Sequence, residues 1–304
     1  ILGEGGHTWA VRALDAAGNT LGYTDDWTVI IDTTPPPVPP LASPDDNAAT
    51  NDPWVEFRWG DVGADSYDLR VVGIDPPRDP YTVTVPSGTT SFTRNLLDGI
   101  YTWKVRSRDA VGNVSQYSAA WTLTVDTLPP GAPALVAPPN GSRTRDPEVT
   151  FDWTDVPESG VTYELWVDAV TYGPLSGSQY KLVLLNGMHS WKVRSFDAVG
   201  NPSNYVAPWQ VTLDTVSPTL TIAAPLPGAV LTTTHQPTVT VRGTANDVGT
   251  GLDRVEVDVG TGWQPAQGTL NWSYDWGLPL VDEQARTLRV RAWDLAGNSV
   301  ERSV

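Results

Sequence analysis

Apolar and polar residues alternate along many short stretches of this chain with a period of two. In Tyr101-Thr-Trp103-Lys-Val105-Arg-Ser107 the odd positions are apolar or small and the even positions polar, the mark of a strand with one buried face. Trp103 and Val105 are thereby assigned to a core, and Lys104 and Arg106 to solvent. Similar runs, such as Trp121-Thr-Leu-Thr-Val125, recur between turns rich in Gly, Pro, Asn and Asp. No stretch keeps a convincing helical period.

The strands belong to a repeat. The run His7-Thr-Trp9-Ala-Val-Arg12-Ala-Leu-Asp15-Ala-Ala-Gly18-Asn19 returns at residues 101–113 and 189–201, and in variant form at 287–298. Its closing Asn19, Asn113, Asn201 and Asn298 fall 94, 88 and 97 residues apart. After each of the first three copies comes a second Trp (Trp27, Trp121, Trp209), then Asp-Thr and proline: Asp32-Thr33 before Pro35, Asp126-Thr127 before Pro129, Asp214-Thr215 before Pro218. The two central repeats align throughout, with Phe57-Arg-Trp59 matching Phe151-Asp-Trp153 and Tyr67-Asp-Leu-Arg-Val71 matching Tyr163-Glu-Leu-Trp-Val167.

Short strands in units of this length, separated by regular turn signals, predict an all-β chain of tandem antiparallel two-sheet β-sandwiches. The expected division is 1–34, a partial domain holding only the last two strands; 35–128 and 129–217, two full sandwiches; and 218–304, a divergent third. An isolated hairpin is marginal, so for residues 1–34 the expectation is either upstream continuation or strands supplied by another chain. Prolines such as Pro35-Pro36-Pro37 cannot continue a ladder and stiffen the joints, predicting an extended string.

These residues resemble the fibronectin type III family of bacterial surface and secreted proteins over 35 to about 217. The resemblance implies that Trp59 packs with Tyr101, and Trp153 with His189, which stands where the family has a tyrosine that makes a corner hydrogen bond. Residues 218–304 resemble a bacterial immunoglobulin-like domain, through Pro237-Thr-Val-Thr-Val-Arg-Gly243 and Val255-Glu-Val-Asp-Val259. Such folds constrain function weakly.

Composition narrows the chemistry. The chain has 14 Trp, 27 Gly, 27 Pro and no Cys, so thiolate nucleophiles and disulfides are excluded. A net charge of −16 disfavours nucleic acid and anionic lipid as partners. No 18-residue apolar run suggests direct membrane insertion. Strand phase assigns Trp9, Trp59, Trp103, Trp153 and Trp191 to cores, whereas Trp54, Trp166, Trp263, Trp272, Trp276 and Trp293 are not settled by pattern, and exposed members among them could form a glycan-binding strip. His7, His189 and His235 read as packing residues, and no serine or paired-carboxylate machinery stands out, so the chain is read as non-enzymatic.

The Asp-x-x-Gly-Asn loops read as tight turns capped by their aspartates. Similar loops and Val-Asp-Thr elements occur in calcium-stiffened bacterial adhesin repeats, and that resemblance implies candidate calcium ligands paired within each repeat: Asp15 with Asp32, Asp109 with Asp126, and Asp197 with Asp214. The resulting expectation is an extracellular or cell-surface bacterial spacer, as stalk, filament or adhesin, whose partners are neighbouring domains or copies of itself and a surface glycan or protein. The alternatives are a glycan- or protein-binding module, and a non-catalytic accessory region of a secreted hydrolase.

Overall fold

A computed structural model describes residues 1–231, 237–279 and 285–304; His235 lies outside these. Among the described residues every regular element is a strand, and no helix is long and apolar enough to cross a membrane. The chain divides into two compact units, Ile1–Leu128 and Pro129–Val304.

In the first unit the strand Trp54–Trp59 pairs with Leu41–Ser43 and Ser91–Asn95 in one sheet. The facing sheet has five strands, ordered Ala48–Thr50, Trp121–Val125, Gly99–Arg108, Ser66–Asp75 and Tyr81–Pro86. Alternate residues of the two inner faces make the core: Phe57 and Trp103, both fully buried, meet at 5.1 Å between ring centroids. Lys104 and Arg106 take the outward phase, as the alternation requires, and lie over the Tyr117 ring.

The second unit repeats this plan. Leu135–Ala137, Glu148–Trp153 and Gln179–Val183 face Ser142–Thr144, Trp209–Leu213, Gly187–Phe196, Thr162–Val167 and Val170–Leu175, with Phe151 and Trp191 at 5.0 Å. Its second sandwich sets Thr219–Ala224, Thr238–Asn246 and Asn271–Gly277 against Gln264–Pro265, Leu252–Asp258, Arg289–Asp294 and Ser299–Ser303, around Trp272, Val257 and Val290.

Three expectations need amendment. The sheets are not wholly antiparallel: Ala48–Thr50 pairs parallel with Trp121–Val125, and Ser142–Thr144 parallel with Trp209–Leu213, because the chain crosses from one sheet to the other between two short strands. Trp9 is half exposed. Among the described residues its strand Gly5–Trp9 pairs only with Trp27–Ile31, and no facing sheet covers the pair. Finally, the ring partner of Trp59 is Tyr67 at 5.8 Å, and that of Trp153 is Tyr163 at 5.7 Å.

The tyrosine corner survives the change of residue. Tyr101 donates its hydroxyl to the Leu97 carbonyl at 2.7 Å; the Nε2 atoms of His189 and His7 make the same contact, at 2.7 Å, to the carbonyls of Leu185 and Gly3. In each case the acceptor lies four residues back, so an imidazole N–H replaces the phenol.

Candidate functional site

The repeated Asp-x-x-Gly-Asn loop is a turn closed on its own aspartate. Asp109 Oδ1 accepts the amides of Val111, Gly112 and Asn113 at 2.8–3.1 Å, and Oδ2 accepts Asn113 Nδ2 at 2.8 Å. Asp15 holds Ala17 and Asn19, Asp197 holds Val199 and Asn201, and Asp294 holds Ala296 and Asn298 in the same manner. The loop glycines Gly18, Gly112, Gly200 and Gly297 have φ of +87° to +102°, a region where a side chain would be strained.

An asparagine amide has two hydrogens, and only one is used inside the loop. Asn113 gives its second to the backbone carbonyl of Asp32 at 3.0 Å, and Asn298 gives its second to the carbonyl of Asp214 at 2.7 Å. Asp32 and Asp214 each end the last strand of the preceding domain. The loop of one domain therefore grips the end of the domain before it.

The threonine of each Asp-Thr pair fastens the same strand end to its own sandwich. The amide and hydroxyl of Thr127 both bond Asp98 at 2.8 Å, those of Thr215 both bond Asn186 at 3.0 Å, and Thr33 bonds Glu4 through both groups. The linker that follows is held as well, because Ser107 donates to the Pro37 carbonyl at 2.6 Å and Ser195 to that of Gly131 at 2.7 Å. At Asp32-Thr33 and at Asp214-Thr215 one dipeptide thus serves two domains.

The junction at Asp214 carries more. The Asp214 carboxylate is buried and accepts the amide and hydroxyl of Thr250 at 2.7 and 2.9 Å and the amide of Val216 at 3.0 Å. Thr250 Oγ1 also accepts the Ala296 amide at 3.1 Å, and Arg145 donates to the Gly297 carbonyl at 2.6 Å. Burial pushes the Asp214 carboxyl up, but the Thr250 and Val216 hydrogen bonds outweigh it and hold the group below its ordinary 3.8. For Asp109 the same contest, burial against the Asn113 side chain and the loop amides, also ends below 3.8.

Within each repeat the proposed ligand pairs do not meet. The antiparallel register sets Gly99 opposite Val125 and Gly187 opposite Leu213. Asp109 and Asp126 therefore lie at opposite ends of a ten-residue strand, roughly 30 Å apart at about 3.3 Å per residue, and so do Asp197 and Asp214. Gly5 opposite Ile31 separates Asp15 from Asp32 in the same way. Asp32 Oδ1 and Asp126 Oδ1 instead accept the amides of Thr34 and Leu128.

What Asp214 does meet is Asp294 and Asp247, with one carboxylate oxygen of each within 4.8 Å of the others. Asp247 Oδ2 accepts the amides of Gly249 and Gly251, whereas its Oδ1 is buried without a hydrogen-bond partner among the described residues. Asp247 and Thr250 escaped the sequence reading, because their turn belongs to no repeated motif and lies 33 residues beyond Asp214. The run of turn residues Asn246-Asp-Val-Gly-Thr-Gly251 was the available signal.

Comparison with known proteins agrees with this architecture. Residues 218–290 match the bacterial Ig domain family and residues 42–127 the bacterial Ig-like domain family. Exoglucanase B of Cellulomonas fimi is 30% identical over 310 residues, covering 95% of this chain and 27% of that protein. Endoglucanase B of Cellulomonas fimi is 30% identical over 320 residues, covering 97% and 28%, and Chitinase A1 of Niallia circulans is 28% identical over 181 residues, covering 57% and 25%. The chain spans about a quarter of the length of these relatives. The fibronectin(III)-like modules of Clostridium thermocellum CbhA superpose with a TM-score of 0.40 at 12% identity, over 58% of this chain and 94% of theirs. The chain is a tandem array of β-sandwiches, with bacterial immunoglobulin-like domains at residues 42–127 and 218–290.

Proposed function

We propose that this chain is a non-catalytic spacer from a secreted bacterial polysaccharide hydrolase. Its work is mechanical: it sets the distance and limits the bending between whatever modules flank it. The observation that carries this reading is the latch from Asn113 to Asp32 and from Asn298 to Asp214, which turns a proline-containing linker into a joint with fixed contacts on both sides. The glucanase and chitinase relatives, matched over almost the whole chain or more than half of it, favour an enzyme's accessory region over a filament or adhesin stalk, although the same joints would serve a stalk. The location that follows is extracellular, and the nearest partners are the adjoining domains. The chain incubated with amorphous cellulose or chitin is expected to release no reducing sugar; hydrolysis by this chain would overturn the reading.

A second reading concerns calcium at the Asp214 junction. The buried Oδ1 of Asp247, without a hydrogen-bond partner among the described residues and beside Asp214 and Asp294, favours it. Three carboxylates supply part of the six to eight oxygens calcium takes, the rest being water and carbonyl oxygen. Bound there, the ion would neutralise the cluster and brace the joint. Added calcium is then expected to raise the melting temperature of the chelator-treated chain, and Asp247→Asn to remove that rise; a melting curve unmoved by chelator and by calcium would dismiss the ion.

A further inference from the structure

The outward face of the five-stranded sheet in residues 129–217 carries an ordered strip of rings and cations. Lys192 Nζ lies 4.7 Å from the Trp166 ring and 4.3 Å from the Tyr205 ring; the Arg194 guanidinium lies 4.6 Å from Tyr205 and 4.8 Å from Phe196. Glu164 fixes the strip from below, pairing with Arg194 at 2.7 Å and accepting the Tyr205 hydroxyl. Burial, then the Glu164 hydrogen bond, push that hydroxyl up to about 12.

Tyr205 is contacted by both cations, while Phe196 meets only the one guanidinium in this strip. Beyond Phe196 the strip opens into a hollow of about 540 Å³, walled on one side by Thr162, Glu164, Gly173, Pro174 and Phe196 and on the other by Gly160 and the turn 197–200. That volume is within the roughly 300–1,000 Å³ of small-ligand sites. The hollow therefore combines an aromatic wall, small residues that keep it open, and a carboxylate whose position is locked by a guanidinium and a phenol. A sugar ring needs this combination: its apolar C–H face packs on an aromatic ring, and its hydroxyls bond fixed polar groups.

The first sandwich supplies an internal comparison. Asp68, Lys104, Arg106 and Tyr117 occupy the places of Glu164, Lys192, Arg194 and Tyr205, but Arg70 and Arg108 stand where the second sandwich has Trp166 and Phe196. Arg108 pairs with Asp68 at 3.3 Å, so a second guanidinium takes up the carboxylate there. The two faces share a ladder and differ at its ends.

We propose that the hollow at Phe196 is a glycan-binding subsite that takes one residue of a neutral polysaccharide chain, with Phe196 as the stacking wall and Glu164, held in place by Arg194, as the hydroxyl partner. The choice of a neutral glycan rests on the hydrolase reading above; the site geometry does not. The full chain would be titrated with cellohexaose and with chitohexaose by calorimetry, alongside Phe196→Ala and Phe196→Arg, the latter placing the first sandwich's residue in the second. Binding of either oligosaccharide, weakened at least tenfold by both substitutions with the melting temperature unchanged, is expected. Tyr117→Ala in the first sandwich should leave binding as it is. Absence of binding to both oligosaccharides, or equal binding by wild type and Phe196→Arg, would overturn the subsite while leaving the spacer reading intact, since that reading requires only stiff joints and no hydrolysis.

Discussion

The amide of Asn298 donates one hydrogen to the Asp294 carboxylate, at 2.7 Å, and the other to the Asp214 carbonyl, also at 2.7 Å. One side chain thus closes a turn in its own domain and holds the end of the previous one. Asn298→Ala removes both bonds and leaves a buried carbonyl and a buried carboxylate short of a donor. At about 1–3 kcal/mol for an unsatisfied buried group, the second unit should lose about that much stability in denaturant titration, with proteolytic sensitivity rising first in the linker around residues 214–218. Asn298→Asp should do no better, because it places a further carboxylate against Asp294.

Gly249 is as tightly specified as the asparagine. A Cβ there would lie 2.1 Å from Asp214 Oδ2, in the space that lets the Thr250 amide and hydroxyl reach the carboxylate. Gly249→Ala is expected to break the Thr250 bonds and destabilise the junction by about 1–3 kcal/mol, in the range of overpacking, read as a lower melting temperature of the second unit. A residue change in a surface turn distant from Asp214 would be worth no more than about 0.5 kcal/mol.

Acid should loosen the joints. The Asp214, Asp109 and Asp68 carboxyls are all held below 3.8 in the folded chain. A depressed carboxyl contributes stability that is fully present above the unfolded value and is lost as pH falls through the folded one. Stability should therefore be flat from neutral pH down to about 5 and decline progressively below that, with Asp214→Asn reducing the decline for the second unit. A loss beginning near pH 6 would point to groups other than these carboxylates.

The tryptophans divide by position more than by type. Trp103 is fully buried against Phe57, and Trp103→Ala should cost about 3–5 kcal/mol. Trp54, 63% exposed at the start of its strand, should tolerate alanine within about 0.5 kcal/mol. Melting curves of the two variants make the comparison directly.

Much of this was legible in the residues. The period-two alternation around Trp103 and Trp191 places both inside, and the Asp-x-x-Gly-Asn runs do form closed turns. Trp9 carries the same local pattern yet is half exposed, because burial depends on a facing sheet that alternation along one strand cannot report. The pairing of acids failed for a related reason. Asp197 and Asp214 are neighbours in the repeat, but antiparallel pairing sends them to opposite ends of the sandwich, and the partner of Asp214 is the loop of the following domain, 80 residues on at Asp294. At the Asp32–Asn113 and Asp214–Asn298 contacts, Asp-Thr and Gly-Asn are two halves of one device, supplied by successive domains.

The central claim is that Asn298 and Asp214 hold two successive sandwiches in one orientation. The chain has no cysteine, so Val183→Cys and Arg302→Cys, both at exposed positions, admit a pair of spin labels on the two sandwiches of the second unit. Pulsed electron–electron dipolar spectroscopy should give one narrow distance distribution, broadened severalfold by Asn298→Ala. A broad distribution in the parent chain, or a width that Asn298→Ala leaves unchanged, would contradict the latch.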